Sequence, residues 1–238
     1  MNVSIIKALV IVVITMNTTL GLAQDWPGIN RYAKSNAELA EPVAGEPRIV
    51  LLGDSITEGW AGQHPGFFQD GYIGRGISGQ VSTQFLARFR QDVIDLHPDI
   101  VVINAGTNDI AENQGPYDED RTMGNIISMV QLARANGIKV ILSSVLPAAR
   151  FGWRPSITDG ADKIASLNDR IRAYAQREKL FYIDYYSALV EGPERALNPA
   201  YTKDGVHPTS AGYDVMEPLV KSAVEKALKT RRYCRPLR

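Results

Sequence analysis

Residues 48–60 read Arg48-Ile49-Val50-Leu51-Leu52-Gly53-Asp54-Ser55-Ile56-Thr57-Glu58-Gly59-Trp60. The apolar run from Ile49 to Leu52 has the length of a buried strand, and Gly53-Asp54-Ser55 ends it abruptly. In an open α/β sheet, ligands bind beyond the carboxyl ends of the strands. Ser55 is therefore expected on a turn at such an end, with its hydroxyl facing a cleft. A serine hydroxyl is a weak nucleophile until a base is brought to it. The rest of the chain must supply that base and a place for the charge that attack creates.

Outward from this stretch the pattern alternates. Strands are expected at 48–52, 72–75, 99–104, 138–145 and 180–184. Val81, Phe85, Phe89 and Val93 recur every fourth residue and mark a helix, as do the patterns at 118–136, 161–178 and 209–229. Strand and helix in alternation predict an α/β fold with a parallel sheet covered by helices on both faces. The strands are apolar throughout, as two covered faces require. Two longer connections, 110–117 and 146–160, are expected at the carboxyl edge on the side of Ser55.

The 238 residues carry 26 basic and 26 acidic side chains, so bulk charge gives no reason to expect nucleic acid as a partner. The single cysteine, Cys234, excludes a disulfide framework within the chain. Residues 1–23 have the pattern of a secretory leader: Lys7, an apolar stretch from Ala8 to Ile14, then Gly21-Leu22-Ala23. The apolar stretch is shorter than the ~20 residues that span a bilayer. Cleavage after Ala23 and an exported protein without stable membrane insertion are expected. Residues 24–46 read as a polar lead-in with one short helix around Ile29–Ala40. The main domain is expected over 47–230 and a basic tail over 231–238.

Four segments are candidates to meet Ser55 at the sheet edge: Gly53-Asp54-Ser55, Arg75–Gly79, Gly106–Asp109 and Asp204–Pro208. An imidazole titrates near 6.5, which suits His207 to take a proton from Ser55 and return it to a leaving group. Asp204, three residues earlier, is spaced to orient that ring and stabilise the imidazolium. Gly79 can bring a backbone N–H close, Asn108 can offer an amide N–H, and the Ser55 N–H is a third donor. Together they would form an oxyanion site. Asp54 and Asp109 are expected to hold the turns. His64 and His97 are expected in a surface loop and at a helix end. Trp60, Phe151 and Trp153 are candidate substrate-lining aromatics. No metal site or cofactor is expected from this set.

The four blocks resemble those of the SGNH hydrolases, the GDSL esterase/lipase family. The match covers Gly53-Asp54-Ser55, Gly79, Asn108 in Gly106-Thr107-Asn108-Asp109, and Asp204 with His207, and runs from about 48 to 228. The resemblance implies a three-layer flavodoxin-like fold with strand order 2-1-3-4-5. It also implies metal-independent ester hydrolysis with Ser55 as nucleophile, His207 as base, Asp204 as its partner, and Gly79 and Asn108 as oxyanion donors. Members act on acetylated carbohydrates, lysophospholipids, thioesters and short-chain esters. Export and the aromatic loop favour a carbohydrate ester. The alternatives are a lysophospholipase or short-chain acyl esterase and, more remotely, a glycan-binding module without catalysis.

Overall fold

The structure is a computed structural model and describes residues 25–230. The leader expected at 1–23 and the basic tail with Cys234 lie outside the described residues. The main sheet has five parallel strands: β1 Ile49–Gly53, β2 Tyr72–Gly76, β3 Ile100–Ile103, β4 Lys139–Ser143 and β5 Phe181–Ile183. Their order is β2-β1-β3-β4-β5, with Ile49 opposite both Tyr72 and Ile100. This is the order expected from the family resemblance.

Side chains alternate across a strand, so each central strand feeds two cores. Val50, Leu52, Val101, Ile103, Val140 and Leu142 face one way. They pack on helices α3 Ser82–Asp92, α5 Glu119–Ala135 and α6 Gly160–Arg177. Ile49, Leu51, Ile100, Val102 and Ile141 face the other way. They meet α2 Ser55–Gln63, α7 Tyr185–Leu189 and α8 Ser210–Leu228. The strands are apolar on both sides for this reason.

Because the chain passes from β1 to β2 and then returns beyond β1 to β3, the order reverses between β1 and β3. A crevice opens at such a reversal, outside the carboxyl ends. Gly53 and the segment after Ile103 lie at that point.

The long periodic helices fall within two residues of expectation. The helix that begins at Ser55 departs from it. Ser55 opens α2 instead of sitting on a free turn, and Asp54 caps the helix by accepting from Ile56 N at 2.9 Å. The helix is not evident in sequence because only Ile56, Thr57 and Trp60 are buried along it and two glycines interrupt it. The short helices α4 Thr107–Ile110 and α7, and the hairpin of β6 Val190–Glu191 with β7 Ala196–Leu197, are also too brief to give a periodic signal.

The lead-in helix shortens to α1 Ala33–Ala37 and has no buried residue on it. The lead-in is nevertheless tied down. The main-chain carbonyls of Trp26 and Pro27 accept from Gln84 Nε2 and Gln80 Nε2 at 2.6 and 2.7 Å. Arg31 pairs with Glu58 at 2.7 Å, and the Tyr32 hydroxyl donates to Gly76 O. It forms a strap over the end of β2 and the start of α3.

No helix among the described residues is long and apolar enough to cross a membrane.

Candidate active site

The end of β1 and the start of α2 pack so tightly on β2 that a side chain at Gly76 would stand 2.2 Å from Glu58 N. Glycine at 76 therefore lets the first turn of α2 settle on the sheet. Behind it lies a buried guanidinium. Arg88, fully buried, donates to Gly53 O at 3.0 Å, to Gln80 Oε1 at 2.6 Å and to Asp92 Oδ2 at 2.9 Å. One side chain thus ties the residue before Asp54-Ser55 to the residue after Gly79. Burial lowers its affinity for a proton, and Asp92 opposes that.

Ser55 Oγ lies 2.9 Å from His207 Nε2, across 152 positions of sequence. His207 Nδ1 lies 2.6 Å from Asp204 Oδ2. A carboxylate can only accept, so Nδ1 carries the proton and Nε2 presents its lone pair to the serine. The Asp204–His207 loop is self-contained. Asp204 Oδ1 accepts from Val206 N at 2.9 Å and His207 N at 2.8 Å, while Thr202 Oγ1 donates to His207 O at 2.8 Å. Partial burial raises the Asp204 pKa, but the N–H groups of His207 and Val206 and the imidazole together outweigh it. The carboxyl is brought down to about 2.

Gly79 has φ of +76°, a left-handed conformation that favours glycine. Its loop is anchored by Ile77 N donating to Gly53 O at 3.1 Å. Glu58 accepts from Ser78 N at 2.8 Å and from the Ser78 hydroxyl. Asn108, on α4, is buried, and its Nδ2 donates to Gln80 O at 3.0 Å and to Asp54 Oδ2 at 3.3 Å. All the residues expected in the nucleophile, base and oxyanion roles are therefore brought to one sheet edge. Asp54 and Asp109 do hold turns: Asp54 caps α2, and Asp109 accepts from Ser82 N at 3.0 Å. Burial pushes the Asp54 carboxyl up to about 6, against the Ile56 N–H and the nearby His207.

Sequence reasoning missed Asn113. Its Oδ1 accepts from Trp153 Nε1 at 2.9 Å, and its Nδ2 donates to Asn108 Oδ1 at 2.8 Å. An indole N–H can only donate. It therefore dictates which way the Asn113 amide faces. That amide in turn dictates that Asn108 turns its oxygen to Asn113 and its nitrogen to Gln80 O and Asp54 Oδ2. A turn-forming asparagine five residues from another gives no sequence signal of this.

The aromatic candidates divide. Trp60 is buried, stacked between Phe67 at 4.9 Å and Tyr213 at 5.1 Å. Phe151 is likewise fully buried. Both are core residues with no surface to offer a substrate, which corrects the expectation for them. Trp153 is exposed, with its ring centroid 6.1 Å from that of His207. The 146–160 connection meets 110–117 through Trp153–Asn113 and through Arg154 donating to Glu112 O at 3.3 Å.

His64 is not a free loop residue. Its Nε2 lies 2.8 Å from Ser210 Oγ and its Nδ1 2.7 Å from Glu217 Oε1. This is a second serine–histidine–carboxylate contact, but Gly79 and Asn108 are gathered at the β1 edge instead, beside Ser55. His97 ends a 3₁₀ turn in a left-handed conformation, as a helix-end residue.

Residues 51–215 match the GDSL-like lipase/acylhydrolase family. The chain belongs to that family. As a GDSL-like acylhydrolase it is an ester-bond hydrolase. Its fold matches the crystal structure of a GDSL-like lipase from Bacteroides thetaiotaomicron with a TM-score of 0.84 and 62% identity, covering 85% of this chain and 99% of that one. It is 28% identical over 174 residues to the esterase TesA of Pseudomonas aeruginosa, covering 71% of this chain and 79% of that protein. It is also 21% identical over 214 residues to an acetylxylan esterase of Xylanibacter ruminicola, covering 75% of this chain and 43% of that protein.

Proposed function

We propose that this acylhydrolase is an exported carbohydrate O-deacetylase that works through an acyl-enzyme on Ser55. The observation that carries the proposal is the unbroken chain from Ser55 Oγ through His207 to Asp204, at 2.9 and 2.6 Å.

Ser55 Oγ attacks the acetyl carbonyl carbon, and its proton passes to His207 Nε2. Asp204, held ionised, stabilises the imidazolium. The carbon–oxygen bond to the sugar then breaks, and the departing oxygen takes the proton from His207. Water repeats the attack with His207 as base again, releasing acetate and restoring Ser55.

The negative oxygen of each tetrahedral intermediate is received by the N–H groups of Ser55 and Gly79 and by Asn108 Nδ2. The first N–H groups of a helix have no intrahelical partner, so Ser55 has one to offer. The 3.3 Å contact of Asn108 Nδ2 with Asp54 is the longer of its two and the one an oxyanion displaces.

Two observations support the carbohydrate reading, and a third supports export. A flat, exposed Trp153 stands beside His207, since aromatic faces pack on sugar rings. The family relatives include an acetylxylan esterase. The leader pattern at 1–23 supports export.

The test is turnover of p-nitrophenyl esters of increasing chain length beside acetylated xylan and lysophosphatidylcholine. Acetate release from xylan and from the shortest ester, abolished by Ser55→Ala, is expected. Preference for the lysolipid would replace the substrate assignment, and turnover surviving in Ser55→Ala would remove the mechanism.

A further inference from the structure

Of the three tryptophans, two are exposed: Trp26 at 45% and Trp153 at 43%. Both are held by the same loop. Trp153 Nε1 donates to Asn113 Oδ1 at 2.9 Å, and Trp26 Nε1 donates to Gln114 Oε1 at 3.1 Å. Consecutive amides thus each hold one indole by its edge and leave ring surface open. Trp153 borders His207. Trp26 borders a cavity of about 250 Å³ lined by Val81, Thr83, Asp109, Gln114, Gly115 and Arg121.

We propose that this cavity is a second sugar-binding subsite, so that the substrate is an ester on an oligosaccharide or polysaccharide, held on both sides of the Asn113–Gln114 loop. The inference rests on the carbohydrate reading above and extends it from one sugar to a chain.

The lining chemistry fits a pyranose. Trp26 supplies a flat apolar face for the ring C–H groups. With its Oε1 turned to Trp26, Gln114 keeps the two N–H groups of Nε2 for ligand hydroxyls. Thr83 Oγ1 accepts from Asn125 Nδ2 at 3.0 Å, which leaves its own hydrogen to donate. Arg121 already donates through one nitrogen to Pro116 O at 2.7 Å and retains further donors. Val81 is the one aliphatic side chain in the lining, so an acyl chain would find little to bury against.

Position also fits. Asp109 in the wall directly follows Asn108, and Val81 lies two residues beyond Gly79, so the cavity shares its walls with the oxyanion segments. Trp26 itself comes from the lead-in strap, outside the region 51–215 that matches the family. The subsite is thus supplied in part by a segment outside the matched region.

The experiment uses the full chain carrying Ser55→Ala, which binds without turning over. Xylo- and manno-oligosaccharides of one to six residues are titrated calorimetrically against it, then against the same protein with Trp26→Ala or Gln114→Ala. Affinity is expected to rise with chain length for one series, and each added substitution to weaken the hexasaccharide roughly tenfold while affecting the monosaccharide much less. Two substitutions are used so that loss of the strap's packing at one does not decide the result. Binding that is independent of length, absent in both series, or weakened equally for one sugar and six overturns the subsite. Ester turnover by the unsubstituted protein is read separately. Turnover with length-independent binding removes the subsite and leaves the esterase mechanism standing. Length-dependent binding without turnover removes the mechanism and leaves the subsite.

Discussion

The two halves of the Ser55 site are built by different means. The half that carries Ser55, Gly79 and Asn108 is backed by the buried side chains of Asp54, Arg88 and Asn108 and is cross-linked over long stretches of chain. Arg88 ties Gly53 to Gln80, Asp54 meets Asn108, and Asn113 meets both Asn108 and Gly79 O, the last at 3.3 Å. The half that carries Asp204 and His207 is exposed, and most of its bonds run within five residues, from Thr202 to His207. Ser55 Oγ to His207 Nε2 joins them. The contrast teaches that orientation of a base can be a local turn problem, whereas a charge-receiving pocket must be assembled from several strand ends. Changes in the first half should therefore cost stability and rate together, and changes in the second should cost rate far more than stability.

The largest expected effect is on the local half. Asp204→Asn should lower kcat by on the order of 10³–10⁴, because the tautomer and the imidazolium charge are lost, while the melting temperature falls less than on removal of a buried partner, since the carboxylate is exposed and little packing is lost. A paired stability and kinetic measurement checks it, and a large drop in melting temperature would erase the contrast.

Next comes the buried half. Arg88→Met leaves Asp92 buried without its cation. It should cost about 3–5 kcal/mol in urea unfolding, as expected when one partner of a buried ion pair is removed. A loss under about 1 kcal/mol would mean that the brace carries little.

A pH effect sharpens the comparison further. Asp54 has its carboxyl raised to about 6 by burial, above the ordinary 3.8. Between those values the native state holds a proton that the unfolded chain has lost, so this group's stabilisation is lost as pH rises through 6. Asp204, lowered to about 2, works the other way: its stabilisation is present above 3.8 and lost as pH falls toward 2. Melting temperatures from pH 4 to 7 should fall less steeply, or rise more, in Asp54→Asn than in the parent. Parallel profiles would show that Asp54 does not titrate in this window.

The smallest expected effect is at the amide relay. Asn113→Ala should reduce kcat on the order of tenfold with KM for p-nitrophenyl acetate little changed, since Asn108 keeps its amide but loses the partner that orients it. Trp153→Phe, which removes only the indole donor, should fall between the parent and Asn113→Ala. An effect confined to KM would place Asn113 in substrate contact instead.

The same division explains what could be read from sequence. The Asp204–His207 pair lies within four residues and was legible as spacing. The central strands β1, β3 and β4 were legible because burial on both faces makes them apolar runs, and the long helices because each keeps a stripe. Ser55, Gly79 and Asn108 were legible as residues that follow strands. The supports were not. Arg88 reads as a charged helix residue, and nothing local places it under Gly53. Asn113 reads as a loop asparagine. Trp60 and Phe151 could as well have lined a cleft, and only the packing of Phe67, Tyr213 and Gly160 around them makes them core. The strap at 25–39 has no periodic apolar face. Its place is set by single hydrogen bonds to the segment 76–84 and by the Arg31–Glu58 pair.

The central claim is that Ser55, and not another serine in contact with a histidine, is the group activated for attack. Ser210, 2.8 Å from His64 Nε2, is the internal rival. Labelling with a fluorophosphonate and mapping the adduct by mass spectrometry tests the claim most directly. One adduct per chain is expected, on Ser55, formed in step with loss of esterase activity and absent from Ser55→Ala. An adduct on Ser210, or full labelling of Ser55→Ala, would contradict it.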